Sequence, residues 1–402
     1  MTALDTTQAD RLQQIDGLRA GFAERMPRYD RDAAFPSENF DELKALGLHT
    51  LTVPREHGGH GMWWPASDAP GEYASYYELL ERLATIDTNT AQLLQVHCHA
   101  TGIVAFHSDA AQMAHYMGDV VENGALISSA GSEAAPRSKQ GETYTSELIE
   151  TPTGWRLSCE KFFCSLSPAA DYLMLWVAVP GAGTFAERQV FVMVPRSAPE
   201  VEVIDNWDTM GMRSTVSHSV RLTDYEVPAD TILGEPGAWV TRDPRTFTLG
   251  FTANHLGTAQ GAFDHLCSWV RDREYLASSP SVLTELGDMA EQLNSCRSAL
   301  YAAAATWETG DADEAELRSV QALHISKRIA LHITARAFDI CGARATFRDQ
   351  PFGQLYRDVR TYTLHFRDEL YMGQVGAAML TGRFTSKGHG SGSVIGTAHQ
   401  QA

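Results

Sequence analysis

The order of hydrophobic patterns along the 402 residues predicts an α+β protein in three consecutive parts. Three observations predict it. Apolar residues recur at helical spacing up to about residue 120. Between about residues 125 and 233 they give way to short runs of β-formers punctuated by Gly and Pro. Beyond about residue 243 helical spacing returns in long stretches with short connections, the pattern of an antiparallel bundle. The expected division is an N-terminal helical domain (1–122), a central β domain (123–236), a C-terminal four-helix bundle (237–386) and a flexible Gly/Ser/Thr-rich tail (387–402).

In the first part, Ser37 is placed to cap a helix carrying Phe40, Leu43 and Leu46 on one face. The Gly-rich turn Gly58-Gly59-His60-Gly61 follows. Asn89 to Phe106 has Leu93, Val96, Ala100, Ile103 and Val104 at helical spacing. In the second part, residues 155–158, 172–179 and 189–194 read as strands of a packed or barrel-like sheet. In the third, Phe263, Leu266, Trp269 and Val270 mark one helix, and Leu286, Met289, Leu293, Cys296 and Leu300 the next. Leu323 to Ile340 marks a third, and Phe352 to Leu380 one or two more.

The composition narrows the function. Lys and Arg number 32 against 50 Asp and Glu, a formal net charge of -18. Such a chain repels phosphate backbones and anionic lipid surfaces, so nucleic acid and membrane are not expected partners. No basic, apolar-cored leader opens the chain, and no apolar run is long enough to span a bilayer, which points to the cytoplasm. Six scattered cysteines without a C-x-x-C pair read as reduced thiols. No third ligand stands at suitable spacing from His97 and His99, so no metal is expected. No nucleophile elbow, dinucleotide fingerprint or P-loop is present.

Trp207-Asp208-Thr209-Met210-Gly211-Met212-Arg213-Ser214-Thr215, followed by Val227-Pro228-Ala229-Asp230 and Leu233-Gly234, resembles the acyl-CoA dehydrogenase superfamily. Leu51-Thr52-Val53-Pro54 before Gly58-Gly59, and Tyr356-Arg357-Asp358-Val359-Arg360, resemble two further segments of that family, in the same order. The resemblance implies an acyl-CoA dehydrogenase-like fold with a flavin between β domain and bundle, and a homotetramer. It implies that Leu126 to Ser132, with Ser128 and Ser129, and Lys161 to Ser165 hold the flavin ring. Phe163 would flank the ring, and Ser165 would hydrogen-bond near N5.

The dehydrogenases need a carboxylate to take a proton from the acyl thioester. At the two positions where the family carries it, this chain resembles the motif but has Phe366 and Phe247. Glu369 lies one helical turn beyond the first. The family's Arg-x-x-Phe-Gly appears as Arg273-Glu274-Tyr275-Leu276-Ala277. The resemblance implies that Arg273 binds a flavin phosphate across a subunit interface, with a solvated helix arginine as the alternative, and the lost Phe-Gly favours FMN over FAD. Arg360-Thr361-Tyr362-Thr363-Leu364-His365 and Cys341 to Thr346 are similar to the two-component flavin monooxygenases of the same fold, such as dibenzothiophene monooxygenases and amine N-hydroxylases. That resemblance implies reduced flavin (FMNH2, or FADH2 as the alternative) supplied by a separate NAD(P)H:flavin reductase. It further implies O2 as co-substrate, a C4a-peroxide, and oxygenation of a small organic molecule at a heteroatom or aromatic carbon.

The residues expected to carry the chemistry are His365 and His97 for proton handling near bound oxygen, Ser165 beside the flavin, and Tyr362, which shares a helix face with His365. Asn254, His255 and Phe366 are expected to line the substrate cavity. The rival reading is an acyl-CoA dehydrogenase or oxidase with Glu369 as a displaced base.

Overall fold

The computed structural model describes residues 7–62, 72–133, 144–239, 248–309, 312–366, 368–382 and 384, with only the backbone of residues 309, 369 and 370. Phe247, the side chain of Glu369 and the expected tail 387–402 lie outside the described residues.

Helix α1 (Gln8–Asp32) opens on a capping box in which Thr7 accepts from the Asp10 N–H and Asp10 accepts from the Thr7 N–H. Helix α2 (Ser37–Ala45) buries Phe40 and Leu43. Pro36, not Ser37, stands at its N-cap, and no side chain caps it. Proline presets the entry angle, so Ser37 is drawn into the first turn. Two single-turn helices and Gly58, at φ 88°, then redirect the chain. Helix α3 (Glu72–Ala84) precedes α4 (Thr88–His107), which is capped by the Asp87 carboxylate on the Asn89 N–H. Helix α4 is buried on nearly every side, which marks it as the interior helix of this part. Helix α5 (Ala110–Asn123) closes it.

The central part is two four-stranded sheets, with strands β1 (Ile127–Ala130), β2 (Ile149–Thr151), β3 (Gly154–Cys164) and β4 (Tyr172–Ala178) first in order. After the short helix α6 (Phe185–Arg188) come β5 (Gln189–Pro195), β6 (Val201–Ile204), β7 (His218–Val227) and β8 (Ile232–Leu233). One sheet has the order β1-β4-β5-β8 and the other β2-β3-β7-β6; among the described strands β1 and β4 pair in parallel and the other pairs are antiparallel. Leu157, Val220 and Leu222 of one sheet pack on Leu173, Leu175, Val190 and Val192 of the other. This is a sandwich with its own core.

The bundle comprises α7 (Thr248–Arg271), the short α8 (Glu274–Ala277), α9 (Pro280–Thr309), α10 (Ala312–Cys341), α11 (Phe352–Tyr362) and α12 (Asp368–Thr381). The stretch expected as one or two helices is therefore two, broken by the turn that carries His365. Helix α7 touches α9 and α10 on one side and α3 of the first part on the other. At Gly257 the backbones come so near that a β-carbon would stand 2.2 Å from the Glu81 carbonyl oxygen. The main apolar cluster runs through this contact, joining Leu80, Leu83 and Ala84 to Leu256 and Ala259.

Among the described residues no helix is long and apolar enough to cross a membrane.

Candidate active site

Strand β3 ends in a sharp turn. The Ser165 N–H donates to the Phe163 carbonyl at 3.0 Å, and Phe163 and Leu166 both hold left-handed backbones, φ 57° and 58°. Left-handed non-glycine residues cost about 1–3 kcal/mol each and persist where surrounding contacts impose them. The result puts the Phe163 ring outward, 64% exposed, with its edge on Trp207 at 6.0 Å.

Two segments are bonded to this turn, and a third holds the second of them. From β1, the Ser128 hydroxyl donates to the Ser165 carbonyl at 2.7 Å. From the Trp207–Ser217 loop, the Ser165 and Ser217 hydroxyls pair at 2.8 Å, and the Leu166 N–H donates to the Thr215 carbonyl at 3.0 Å. From α11, the buried Asp358 carboxylate accepts from the Met212 N–H and, at 2.9 Å, from Asn89 of α4. Burial pushes the Asp358 pKa up to about 7. A β-carbon on Gly211 would stand 2.1 Å from the Arg357 carbonyl oxygen, so only glycine lets this loop reach α11. Arg357 holds the same junction by pairing with Asp30 of α1.

Trp207 joins the turn to the bundle. It packs with Met212, Phe251, Leu323, Tyr362 and Phe366. Phe251 lies nearly parallel to the Tyr362 ring at 4.9 Å and 4.3 Å from the His365 ring. Tyr362, buried, donates to Gln92 and accepts from Asn254 at 3.1 Å, while Asn254 also donates to Gln95 at 2.7 Å. Two buried acceptor positions here have no partner: Asn254 Oδ1 and His255 Nε2. The tautomer of His255 follows from its other nitrogen. Ser326 gives its hydrogen to the Leu323 carbonyl at 2.8 Å, so its oxygen accepts from His255 Nδ1 at 3.2 Å and Nε2 is left bare.

His365 is exposed, yet burial by the surrounding walls lowers its pKa to about 4, with the Lys327 charge adding to the effect. Lys327, nearly buried, donates to the Phe366 carbonyl at 2.9 Å and pairs with Asp368.

The structure thus gathers Asn254, His255, His365 and Phe366 around Phe251 and Tyr362, and Trp207 links this group to the Phe163–Ser165 turn. Ser128 stands one step behind: it is fully buried, and its hydroxyl positions Ser165 instead of facing outward. Ser129 accepts from the Trp176 indole at 3.0 Å, which leaves its own hydrogen to give.

One placement, that of His97, differs from expectation. His97 is fully buried, and both ring nitrogens are engaged by backbone, Nδ1 accepting from the Ile127 N–H and Nε2 donating to the His49 carbonyl, each at 3.0 Å. Burial drops its pKa to about 3, so it is a neutral pin between segments with no nitrogen left for proton handling. Arg273 is engaged at the end of α7, donating to the Trp269 carbonyl at 2.8 Å and lying over the Trp269 ring at 3.6 Å.

Lys327, Asp358, Thr215 and Ser217 escaped the sequence reading. Asp358 and Thr215 lay inside quoted motifs; nothing in spacing marks Lys327 or Ser217. A groove of about 1420 Å³ between α1 and residues 346–354 contains none of the expected site residues. Among the described residues no three His, Cys, Asp or Glu side chains are grouped to hold a metal ion.

The residues present fit a flavin: an outward aromatic ring on a strained turn offers a flat face, and a half-buried serine oxygen lies beside it.

The chain belongs to the acyl-CoA dehydrogenase superfamily: the N-terminal domain model of that family matches residues 16–123 and its C-terminal domain model residues 249–368. Among relatives, dibenzothiophene monooxygenase of Mycolicibacterium goodii is 24% identical, over 96% of this chain and 97% of that protein. FMN-bound TdsC from Paenibacillus sp. A11-2 superposes with a TM-score of 0.83 at 25% identity, covering 94% of this chain and 99% of that one. Butyryl-CoA dehydrogenase from Megasphaera elsdenii superposes almost as well, TM-score 0.82 at 21% identity over 93% and 98% of the two chains. At that identity the likeness speaks for the fold alone.

Proposed function

We propose that the protein is a flavin-dependent monooxygenase that takes reduced flavin, preferably FMNH2, from a separate NAD(P)H:flavin reductase and uses O2 to oxygenate a small organic substrate. One observation carries the reading: Phe366 stands where the dehydrogenase motif carries its base, and His365 beside it packs on Phe251.

Reduced flavin supplies the electrons that activate dioxygen. Phe163, Ser165 and Ser129 are the side chains to hold its ring, with Ser128 fixing Ser165 from behind. Neutral His365 offers an N–H to reduced oxygen without releasing a proton at physiological pH. Phe251, Phe366 and Tyr362 gather aromatic surface around His365, which limits the water that would divert oxygen to hydrogen peroxide. Asn254 Oδ1 and His255 Nε2 are the acceptors available to orient a substrate.

Around this core we place a homotetramer in the cytoplasm, with the division 1–122, 123–236 and 237–386 as its domains. Leu283, Ile325, Met379 and Leu380, exposed on α9, α10 and α12, support subunit association. In such an assembly the spare donors of Arg273 would reach a flavin phosphate of a neighbouring subunit.

The test is to mix the anaerobically reduced, FMN-loaded protein with oxygenated buffer in a stopped flow, with His365→Ala alongside. A transient absorbing unlike either reduced or oxidised flavin is expected, shortened at least tenfold by the substitution with more hydrogen peroxide released. Flavin bleaching by acyl-CoA thioesters without NAD(P)H would sink the reading in favour of a dehydrogenase.

A further inference from the structure

Ser165 does not end in its pair with Ser217. The Ser217 hydroxyl pairs in turn with the Thr215 hydroxyl at 2.8 Å, and Thr215 donates to the Met212 carbonyl at 2.7 Å. Ser217 and Thr215 are both buried, so no bulk water competes for these bonds.

The direction of this chain follows from its fixed end. A carbonyl oxygen only accepts, so Thr215 commits its one hydrogen to Met212. Ser217 must then give its hydrogen to Thr215, and Ser165 must give its own to Ser217. The reverse order would leave two oxygens 2.7 Å apart with no hydrogen between them. The loop is built to hold the arrangement. Met212 and Val216 bracket it with left-handed backbones, φ 55° and 40°, and the second is a genuine outlier for a β-branched residue. Asp358 grips the Met212 N–H, the Trp207 indole also donates to the Met212 carbonyl at 2.8 Å, and Leu166 donates to the Thr215 carbonyl.

We propose that Thr215 and Ser217 are positioning residues that turn the Ser165 hydrogen inward, so that its oxygen meets the flavin only as an acceptor and the site selects dihydroflavin over oxidised flavin. Dihydroflavin carries an N–H at N5, which such an oxygen accepts. Oxidised flavin carries a lone pair there, which it repels. The inference rests on the monooxygenase reading, which places Ser165 beside N5.

The test compares dissociation constants for oxidised FMN, by fluorescence quenching, and for dithionite-reduced FMN under anaerobiosis. The wild-type protein is expected to bind the reduced form at least about tenfold more tightly, the worth of one hydrogen bond gained against one repulsion. Ser217→Ala frees the Ser165 hydrogen to point outward. Thr215→Val does so indirectly, because Ser217 then turns its hydrogen to Ser165. Each variant should cut the preference about tenfold, chiefly through tighter binding of oxidised FMN. The midpoint potential of the bound flavin should fall by about 30 mV. Thr215→Ser, which keeps the hydroxyl, should restore the wild-type ratio. A folded variant of either kind with an unchanged ratio overturns the inference; where one variant does not fold, the other decides. Equal wild-type affinity for both forms overturns the inference and leaves the monooxygenase reading standing. Binding of neither form overturns both.

Discussion

Lys327 of α10 donates to the carbonyl oxygen of Phe366 at 2.9 Å, one residue beyond His365. Its ammonium, paired with Asp368, sits under the turn that joins α11 to α12. One side chain therefore fixes where His365 stands and bears on its charge. The other titratable groups around it are His255 from α7, Tyr362 from α11 and His324, which lies 3.7 Å from Asp368.

Lys327→Met should loosen that turn and let His365 protonate at higher pH. The sign follows from the cause: the pKa of about 4 is depressed by burial first and by the Lys327 charge second, so removing the charge raises it. The acid limb of the turnover profile should move up by about one pH unit. Lys327→Arg should keep the wild-type limb. NMR titration of labelled histidine, with the signal assigned through His365→Asn, checks the same shift without flavin.

Acid should unfold the protein through its buried histidines. Burial lowers His49 and His60 to about 4 and His97 and His255 to about 3. A histidine depressed in the folded state takes up its proton more readily when unfolded. Stability is therefore held above pH 6.5 and lost as the pH falls from there toward 4. Asp358, raised to about 7, and Asp87, also raised by burial, work in the opposite sense but are outnumbered by the depressed histidines. Calorimetry should show the melting temperature falling by roughly 5 °C or more between pH 7 and pH 5. A flat profile across that range would refute the assignment of these histidines as neutral pins.

Asp358→Asn should be mild and Asp358→Leu severe. An asparagine oxygen still accepts from the Met212 N–H. Asn89, whose Oδ1 has no partner, can turn its amide to accept from the new side chain. Leucine leaves a buried N–H unpaired, at a cost of about 1–3 kcal/mol. The expected readouts are a near wild-type urea midpoint for the first and a clearly lowered one for the second, with weaker FMN binding because Met212 anchors the Ser165 hydroxyl chain.

Gly211→Ala should disrupt the junction outright. The new methyl would stand 2.1 Å from the Arg357 carbonyl oxygen, with backbone on both sides. A loss of more than about 3 kcal/mol, or failure to fold, is expected from overpacking two backbones. A melting temperature within a degree of the wild type would show that the loop can lift off α11.

Legibility of the fold and legibility of the site had different sources. Helical and strand periods are local, so α4, β3–β5 and the long bundle helices could be read directly. Phe163, Ser165, Tyr362 and His365 lay in contiguous motifs and were singled out by the family resemblance those motifs carry. His97 could not be placed, because its partners are backbone atoms 30 and 48 positions distant, and a buried pin and a catalytic histidine look alike in sequence. Ser217 and Lys327 act by contacts across 52 and 39 positions. Ser37 failed as a cap because the neighbouring proline imposed the helix entry.

The near-contact of Gly257 with the Glu81 carbonyl has a bearing on how the chain assembles. One flank of α7 is fitted to α3, an element made almost two hundred residues earlier. During synthesis the N-terminal helices must wait, with Leu80 and Leu83 uncovered, until α7 emerges. A fragment holding only residues 237–386 would meet water along that same flank. Coexpressed halves of the chain would therefore tend to find one another, and the seam along Gly257 is where they would rejoin.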